Sequence, residues 1–354
     1  MKILADASLP GLVEAFPKPF ELSTYLHANE IPNLLKDQQI LLCRSTLQVN
    51  ESLLKGHSLR YVATASSGTD HIDSLYLKNN AIELIDAKGS NAVAVADYVI
   101  ASLAFLQKYK GFSGLKAGVI GVGEVGEKVV KRLAAAGMEV HSYDPLRSEN
   151  DPHFFSCTLD TITQCDLVCI HANLHDNPPY SSRNLFDKRL LNRLKPNAVI
   201  INASRGGIVN EEALLQQKKP IIYCTDVYYN EPDINPEIIR LATLCTPHIA
   251  GHSLEAKCEA VRMVSRKLHT RLHLSSPTFS EPAIEATNLS NTFKHWQDIA
   301  LHLYNPFEET NFIKSANNLQ QSFLNLRKAH QKRHDFCRYP LPFIDEQIKE
   351  ILGL

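Results

Sequence analysis

Residues 121–126 read Gly-Val-Gly-Glu-Val-Gly, directly after the apolar run 117–120 and directly before an amphipathic segment at 125–136. The pattern GxGxxG is weak by itself. Between a strand and a helix it gains a mechanism: Gly121 permits a tight turn, Gly123 lets backbone approach a pyrophosphate, and Gly126 lets helix pack on strand. The helix start at Val125 then offers unpaired N–H groups to the phosphates. A second strand, 139–143, is followed by Asp144, with 17 residues between it and Gly126. A carboxylate there accepts hydrogen bonds from both ribose hydroxyls and repels a 2'-phosphate, so NAD is expected over NADP. Arg147, three residues on, could soften that repulsion.

Three further segments combine residue types that do proton chemistry: Asn-Ala-Ser-Arg-Gly-Gly at 202–207, Asp-Val-Tyr-Tyr-Asn-Glu-Pro at 226–232 and Thr-Pro-His-Ile-Ala-Gly-His at 246–252. Each follows an apolar run that reads as a strand, and open α/β sheets bind ligands at the carboxyl ends of their strands. The planar fork of Arg205 pairs bidentately with a carboxylate, which Lys cannot copy. Glu231 beside His248 would hold the imidazole ring and stabilise its protonated form, leaving one ring nitrogen to exchange a proton with a substrate hydroxyl. With a nicotinamide alongside, this trio suits oxidation of a secondary alcohol next to a carboxylate. Singly, each residue has an ordinary alternative, because the chain holds 15 histidines and many ion pairs are structural.

The elements that must position these groups follow from the hydrophobic pattern. In the first 90 residues, short apolar runs at 2–5, 39–43, 61–65 and 82–86 alternate with polar or amphipathic stretches, which predicts a parallel sheet with helical crossovers. A helix over 91–107 leads, past a hinge at 88–91, into a second unit with strands at 116–120, 139–143, 167–171, 198–202, 221–225 and 243–246. A helix over 254–274, a linker at 275–291 and helical segments at 293–303 and 322–334 complete the chain. The basic run at 326–334 reads as a solvated helix face.

Composition narrows the function classes. The 354 residues carry 37 Lys plus Arg against 38 Asp plus Glu, so no bulk positive field exists to hold a nucleic acid or an anionic bilayer. The eight cysteines include no CxxC pair, and most sit in apolar runs where a buried thiol is expected rather than a disulfide or a metal ligand. The start carries one lysine and reaches Asp6 before a signal core could form, and the longest apolar stretch is interrupted by Asp97. A soluble cytoplasmic protein without a metal is expected.

Through GVIGVGEVG, NASRGGIV, DVYYNEP and TPHIAG, in that order over residues 118–251, the sequence resembles the D-2-hydroxyacid dehydrogenase family. KILADASLP at the start, CRSTLQVNESLLKG at 43–56, ATASSGTDHID at 63–73 and LRKAHQKRHDF near the end extend the resemblance over the whole chain, toward a branch that takes a phosphorylated 2-hydroxy acid. It implies an α/β chain with two doubly wound parallel-sheet domains. One is a flavodoxin-like substrate-binding domain at 1–91 and 254–283, the other a Rossmann NAD-binding domain at 92–253. A small dimerisation domain at 284–354 would make a homodimer. It also implies Arg205, Glu231 and His248 as catalytic residues, Ser45, Ser66 and His252 at the substrate, and Gly121, Gly123, Val125, Gly126, Asp144, Ala172, Asp226 and Gly251 at NAD. Physically, the Ser45 and Ser66 hydroxyls with nearby N–H groups can hold a carboxylate or phosphate, although serines in loops are also ordinary turn formers. The sequence departs from the family at His252, where a tyrosine is usual, and at Ala172, where a threonine is common. Another dehydrogenase of the family, acting on 3-phosphoglycerate, glycerate or lactate, and an NADH-sensing binding protein on the same scaffold stay open.

Overall fold

The computed structural model describes residues 1–283, 293, 295–329, 333–341 and 344–354. It divides into two units, residues 1–91 with 253–283 and residues 92–252 with 284–354. The first unit is built on β1 (Lys2–Asp6), β2 (Glu21–Tyr25), β3 (Ile40–Cys43), β4 (Tyr61–Thr64) and β5 (Glu83–Ile85), all parallel in the order β2-β1-β3-β4-β5. This is the flavodoxin order. Alternation along the strands fills both faces: Ile3, Ala5, Ile40 and Leu42 pack on one side, where the helix Leu254–Arg271 returns with Ala260, Val261, Val264 and Leu268, and Leu4, Leu41 and Val62 pack on the other. β2 is an edge strand that the sequence pattern did not reveal, since Tyr25 alone of its five residues is buried.

The second unit holds β6 (Lys116–Ile120), β7 (Glu139–Tyr143), β8 (Leu167–Ile170), β9 (Val199–Asn202), β10 (Ile222–Thr225) and β11 (Leu244–Cys245), parallel in the order β11-β10-β9-β8-β6-β7. β7 lies on one side of β6 and every later strand on the other. The direction of winding therefore reverses at β6, and a ligand crevice is expected at its carboxyl end. The central strands read as continuous apolar runs because both faces are covered. The helix Ala92–Lys110 is long and apolar enough to cross a membrane, yet 78% of its most apolar window is buried in this core. Asp97, which interrupts that run in the sequence, is fully buried and paired with Arg132 of the helix Glu124–Ala135, and it also accepts a 2.9 Å hydrogen bond from the Phe336 N–H. Burial still pushes its carboxyl upward against the pull of Arg132 and Arg333.

The C-terminal helices Trp296–Leu303, Phe307–Lys314, Leu319–Ala329 and Glu346–Leu352 pack within this second unit. Ile299, Ala300, Ile351 and Leu352 join the core around Ala92–Lys110, and Thr310 Oγ1 accepts the Cys245 N–H at 3.0 Å. Part of the expected linker, 284–291, lies outside the described residues. All eight cysteines are free, five of them buried.

Candidate active site

The glycine turn leaves β6 at Gly121, whose φ of +80° belongs to the left-handed region. A Cβ there would lie 2.4 Å from the Ala172 nitrogen just beyond β8, and a Cβ on Gly126 would lie 2.2 Å from the Gly121 carbonyl oxygen. Over Gly123, by contrast, nothing stands within 4 Å. The helix Glu124–Ala135 begins there with no side-chain cap, so its first N–H groups are open to an anion. Asp144 at the end of β7 reaches back over this turn: its Oδ2 accepts the Val122 N–H at 2.8 Å and its Oδ1 the Arg147 N–H at 3.0 Å. Close backbone, an open helix start and a carboxylate at the adjoining strand end fit a dinucleotide, which Gly121, Gly123, Val125, Gly126 and Asp144 could hold.

Arg147 does not offset the Asp144 charge toward a 2'-phosphate. Its guanidinium donates to the Val122 carbonyl and to Glu127, each at 2.6 Å, reaches Asp151 at 3.3 Å, and lies over the Phe154 ring. Asp144→Asn, which keeps an acceptor but removes the charge, is therefore expected to shift the kcat/KM ratio of NADP to NAD upward by at least about tenfold, against a ceiling of about 4 kcal/mol for unit charges 4 Å apart at an effective dielectric of 20. Initial rates with the two cofactors measure this.

Arg205, Glu231 and His248 follow the neighbouring strands β9, β10 and β11, and backbone ties join their loops. The Asp226 N–H donates to the Asn202 carbonyl at 2.9 Å, and the His248 N–H donates to the Asp226 carbonyl at 2.8 Å. A Cβ on Gly206 would lie 1.8 Å from the Tyr228 carbonyl oxygen, so the Arg205 loop rests directly on the loop that carries Glu231. His248 adopts φ +56°, a conformation that a non-glycine residue holds only when its surroundings over-determine it. Asp226 supplies much of that constraint. Its carboxylate is buried and accepts from Thr246 Oγ1 at 2.7 Å and from the Ile249 and Ala250 N–H groups, each at 2.8 Å. Burial pushes this carboxyl upward despite those donors and His248.

Glu231 Oε2 lies 2.7 Å from His248 Nδ1, while its Oε1 accepts the Tyr228 N–H at 2.9 Å. Burial alone would raise this carboxyl, but the imidazole, the Tyr228 N–H and Arg327 together hold it below the usual carboxylate range. An ionised Glu231 fixes the tautomer in which Nδ1 carries the proton, leaving Nε2 to accept one. Arg205 is half-buried, with its Nη1 donating to the Ser204 carbonyl at 2.8 Å and its own carbonyl held by Asn202 Nδ2 at 3.0 Å. A side chain able to fork onto a carboxylate and one able to accept a hydroxyl proton thus follow β9 and β11, the two strands that flank β10.

Ala172, Gly251 and His252 are half-buried, with the Ser204 hydroxyl donating to the Ala172 carbonyl and the His252 N–H to the Ile249 carbonyl. In the first unit, exposed Ser45 and half-buried Ser66 follow the adjacent strands β3 and β4. Arg44, beside Ser45, is held by Asp6 at 2.8 Å.

Three residues near the site escaped the sequence reading. The expectation of a solvated face at 326–334 holds at exposed Lys328 and Ala329 and is corrected at two residues: Arg327, on the helix Leu319–Ala329, points its Nη1 to within 3.9 Å of Glu231 Oε2, and buried Arg333 donates to the Ala250 carbonyl at 2.9 Å. Residues 330–332 lie outside the described residues. The third is His171, whose backbone abuts the glycine turn and whose ring burial pushes down to about 3. Its folded value lies below the unfolded one of about 6.5, so its contribution to stability is complete above pH 6.5 and is lost as pH falls toward 3. His171→Leu should flatten the acid side of the stability profile by up to about 1.4 kcal/mol per pH unit below 6.5, read by denaturant unfolding between pH 7 and 5.

Residues 101–250 match the family model "D-isomer specific 2-hydroxyacid dehydrogenase, NAD binding domain". The sequence is 54% identical over 350 residues to erythronate-4-phosphate dehydrogenase of Legionella pneumophila, covering 99% of both chains, and 36% identical to the Coxiella burnetii enzyme of the same name, covering 96% of this chain and 95% of that one. Among solved structures, the NAD+-bound 3-phosphoglycerate dehydrogenase of Entamoeba histolytica superimposes with a TM-score of 0.66 at 21% identity, covering 77% of this chain and 95% of that one. The D-lactate dehydrogenase of Aquifex aeolicus complexed with NAD and lactic acid gives 0.61 at 22%, covering 77% and 96%. These two share the fold, whereas the near-complete alignments carry the narrower assignment: the chain belongs to the erythronate-4-phosphate dehydrogenase family, whose NAD-binding domain is that of the D-isomer specific 2-hydroxyacid dehydrogenases.

Proposed function

We propose that this protein oxidises 4-phospho-D-erythronate at C2 to (R)-3-hydroxy-2-oxo-4-phosphooxybutanoate, with NAD as the acceptor, in the biosynthesis of pyridoxal 5'-phosphate. The observation that carries this reading is the Glu231–His248 pair at 2.7 Å, beside the Arg205 loop and in the same unit as the glycine turn. Arg205 pairs with the C1 carboxylate and so orients C2. His248 Nε2 accepts the proton of the C2 hydroxyl, and ionised Glu231 stabilises the imidazolium that results. Bound NAD supplies the acceptor for the hydride that leaves C2. Gly121, Gly123, Val125, Gly126 and Asp144 hold the dinucleotide, and Ala172, Asp226 and Gly251, in the segments that follow β8, β10 and β11, complete its contacts. His252 donates to the substrate in place of the family's tyrosine.

Ser45 and Ser66 bind the anionic ends of the substrate. Support comes from the cations of the same unit, where Lys257 is pushed downward by burial and by Arg44, a like-charge pairing that an incoming phosphate would relieve. Residues 284–354 make the contacts of a homodimer, supported by Phe312 and Leu324, large apolar side chains left 63% and 45% exposed on the C-terminal helices. The balanced charge and the eight free thiols support a cytoplasmic enzyme that binds neither nucleic acid nor membrane.

NADH fluorescence over a panel of 4-phospho-D-erythronate, 3-phosphoglycerate, glycerate and D-lactate tests the substrate. Phosphoerythronate should give the highest kcat/KM, and faster turnover of an unphosphorylated acid would reject it.

A further inference from the structure

We propose that Arg327, reaching from the C-terminal helix Leu319–Ala329 to the carboxylate of Glu231, is a positioning residue that sets the charge balance of the Glu231–His248 couple. This rests on the reading of that couple as the proton acceptor. One carboxylate oxygen, Glu231 Oε2, stands 2.7 Å from the imidazole and 3.9 Å from the guanidinium, while the other is occupied by the Tyr228 N–H. The helix is anchored to the same loop. Phe323, one turn before Arg327, is 1% exposed and meets the Tyr228 ring edge-on with centroids 5.9 Å apart, and Leu319 and Leu326 pack into the same core. Arg327 is itself only 26% exposed.

The physical consequence follows from what an unassisted carboxylate would do. A buried Glu231 facing His248 alone favours the imidazolium, which cannot accept a proton from an alcohol. A guanidinium keeps its charge at every working pH, so beside Oε2 it keeps the carboxylate ionised while opposing protonation of the ring beyond it. Glu231 is faced by His248, Arg327 and Glu211, whose own carboxyl is pushed up by burial and by Glu231, and His248 is faced by Glu231 and Asp226. Arg327 is therefore a fixed cation on the one carboxylate that touches the ring.

The test compares full-length wild type with Arg327→Gln and Arg327→Lys. In Arg327→Gln the acid limb of kcat/KM for phosphoerythronate oxidation should move up by about half to one pH unit, so that the rate falls about three- to tenfold on that limb and returns toward wild type at alkaline pH. Arg327→Lys should restore most of the limb. Without substrate, the titration midpoint of His248 followed by NMR, with its signal assigned by loss in His248→Asn, should rise in Arg327→Gln. An unmoved limb and midpoint, a pH-independent loss with a lowered unfolding temperature that lysine fails to rescue, or a change confined to KM would each overturn the proposal. Failure of the underlying reading is separate: His248→Asn would then remain active whatever Arg327→Gln does.

Discussion

His248→Asn is expected to lower kcat for NADH formation by about 10² to 10⁴, the range that positioned acid-base catalysis contributes, while leaving NAD affinity unchanged. Asparagine is the informative replacement. His248 sits at φ +56°, and asparagine enters the left-handed region more readily than most residues, so the backbone bonds to Asp226 survive. Its amide can still donate to Glu231. What it lacks is a second nitrogen able to take up a proton at neutral pH. NAD titration by protein fluorescence separates binding from turnover, and a variant keeping more than a tenth of wild-type kcat would remove His248 from the proton step.

The second large effect divides the glycine motif into a folding role and a binding role. An alanine methyl at position 126 would stand 2.2 Å from the Gly121 carbonyl oxygen, a backbone atom that cannot rotate aside. The helix must then lift off β6, at a cost of about 1 to 3 kcal/mol of stability, as for other overpacked sites. Gly123→Ala meets no atom within 4 Å and is expected to leave the unfolding midpoint unchanged, yet its methyl occupies the approach to the helix start and should weaken NAD binding at least about tenfold. Denaturant unfolding and NAD titration of both variants check this. Normal NAD affinity in Gly123→Ala would place the pyrophosphate elsewhere.

Legibility in the sequence followed burial and locality. β6, β8, β9 and β10 were readable because Lys116–Ile120, Leu167–Ile170, Val199–Asn202 and Ile222–Thr225 are apolar runs covered on both faces. Glu21–Tyr25 was not, because an edge strand with exposed Glu21, Ser23 and Thr24 leaves no alternation to detect. Glu231 and His248 could be paired from their strand-end positions, since parallel β10 and β11 place those ends side by side. Arg327 could not: 96 residues separate it from Glu231, and a lysine- and arginine-rich helix end has the same local pattern whether it faces solvent or a carboxylate. The partner of Asp97 was illegible for the same reason, because Arg132 lies on another helix.

The most direct test of hydroxyl oxidation at C2 uses 4-phospho-D-erythronate carrying deuterium at that carbon, with the oxo product trapped chemically. The NADH formed should carry the deuterium at the nicotinamide C4 position, and kcat/KM should fall relative to unlabelled substrate in the region where the chemical step limits the rate. Deuterium released to water, or NADH formed without it, would contradict transfer from C2.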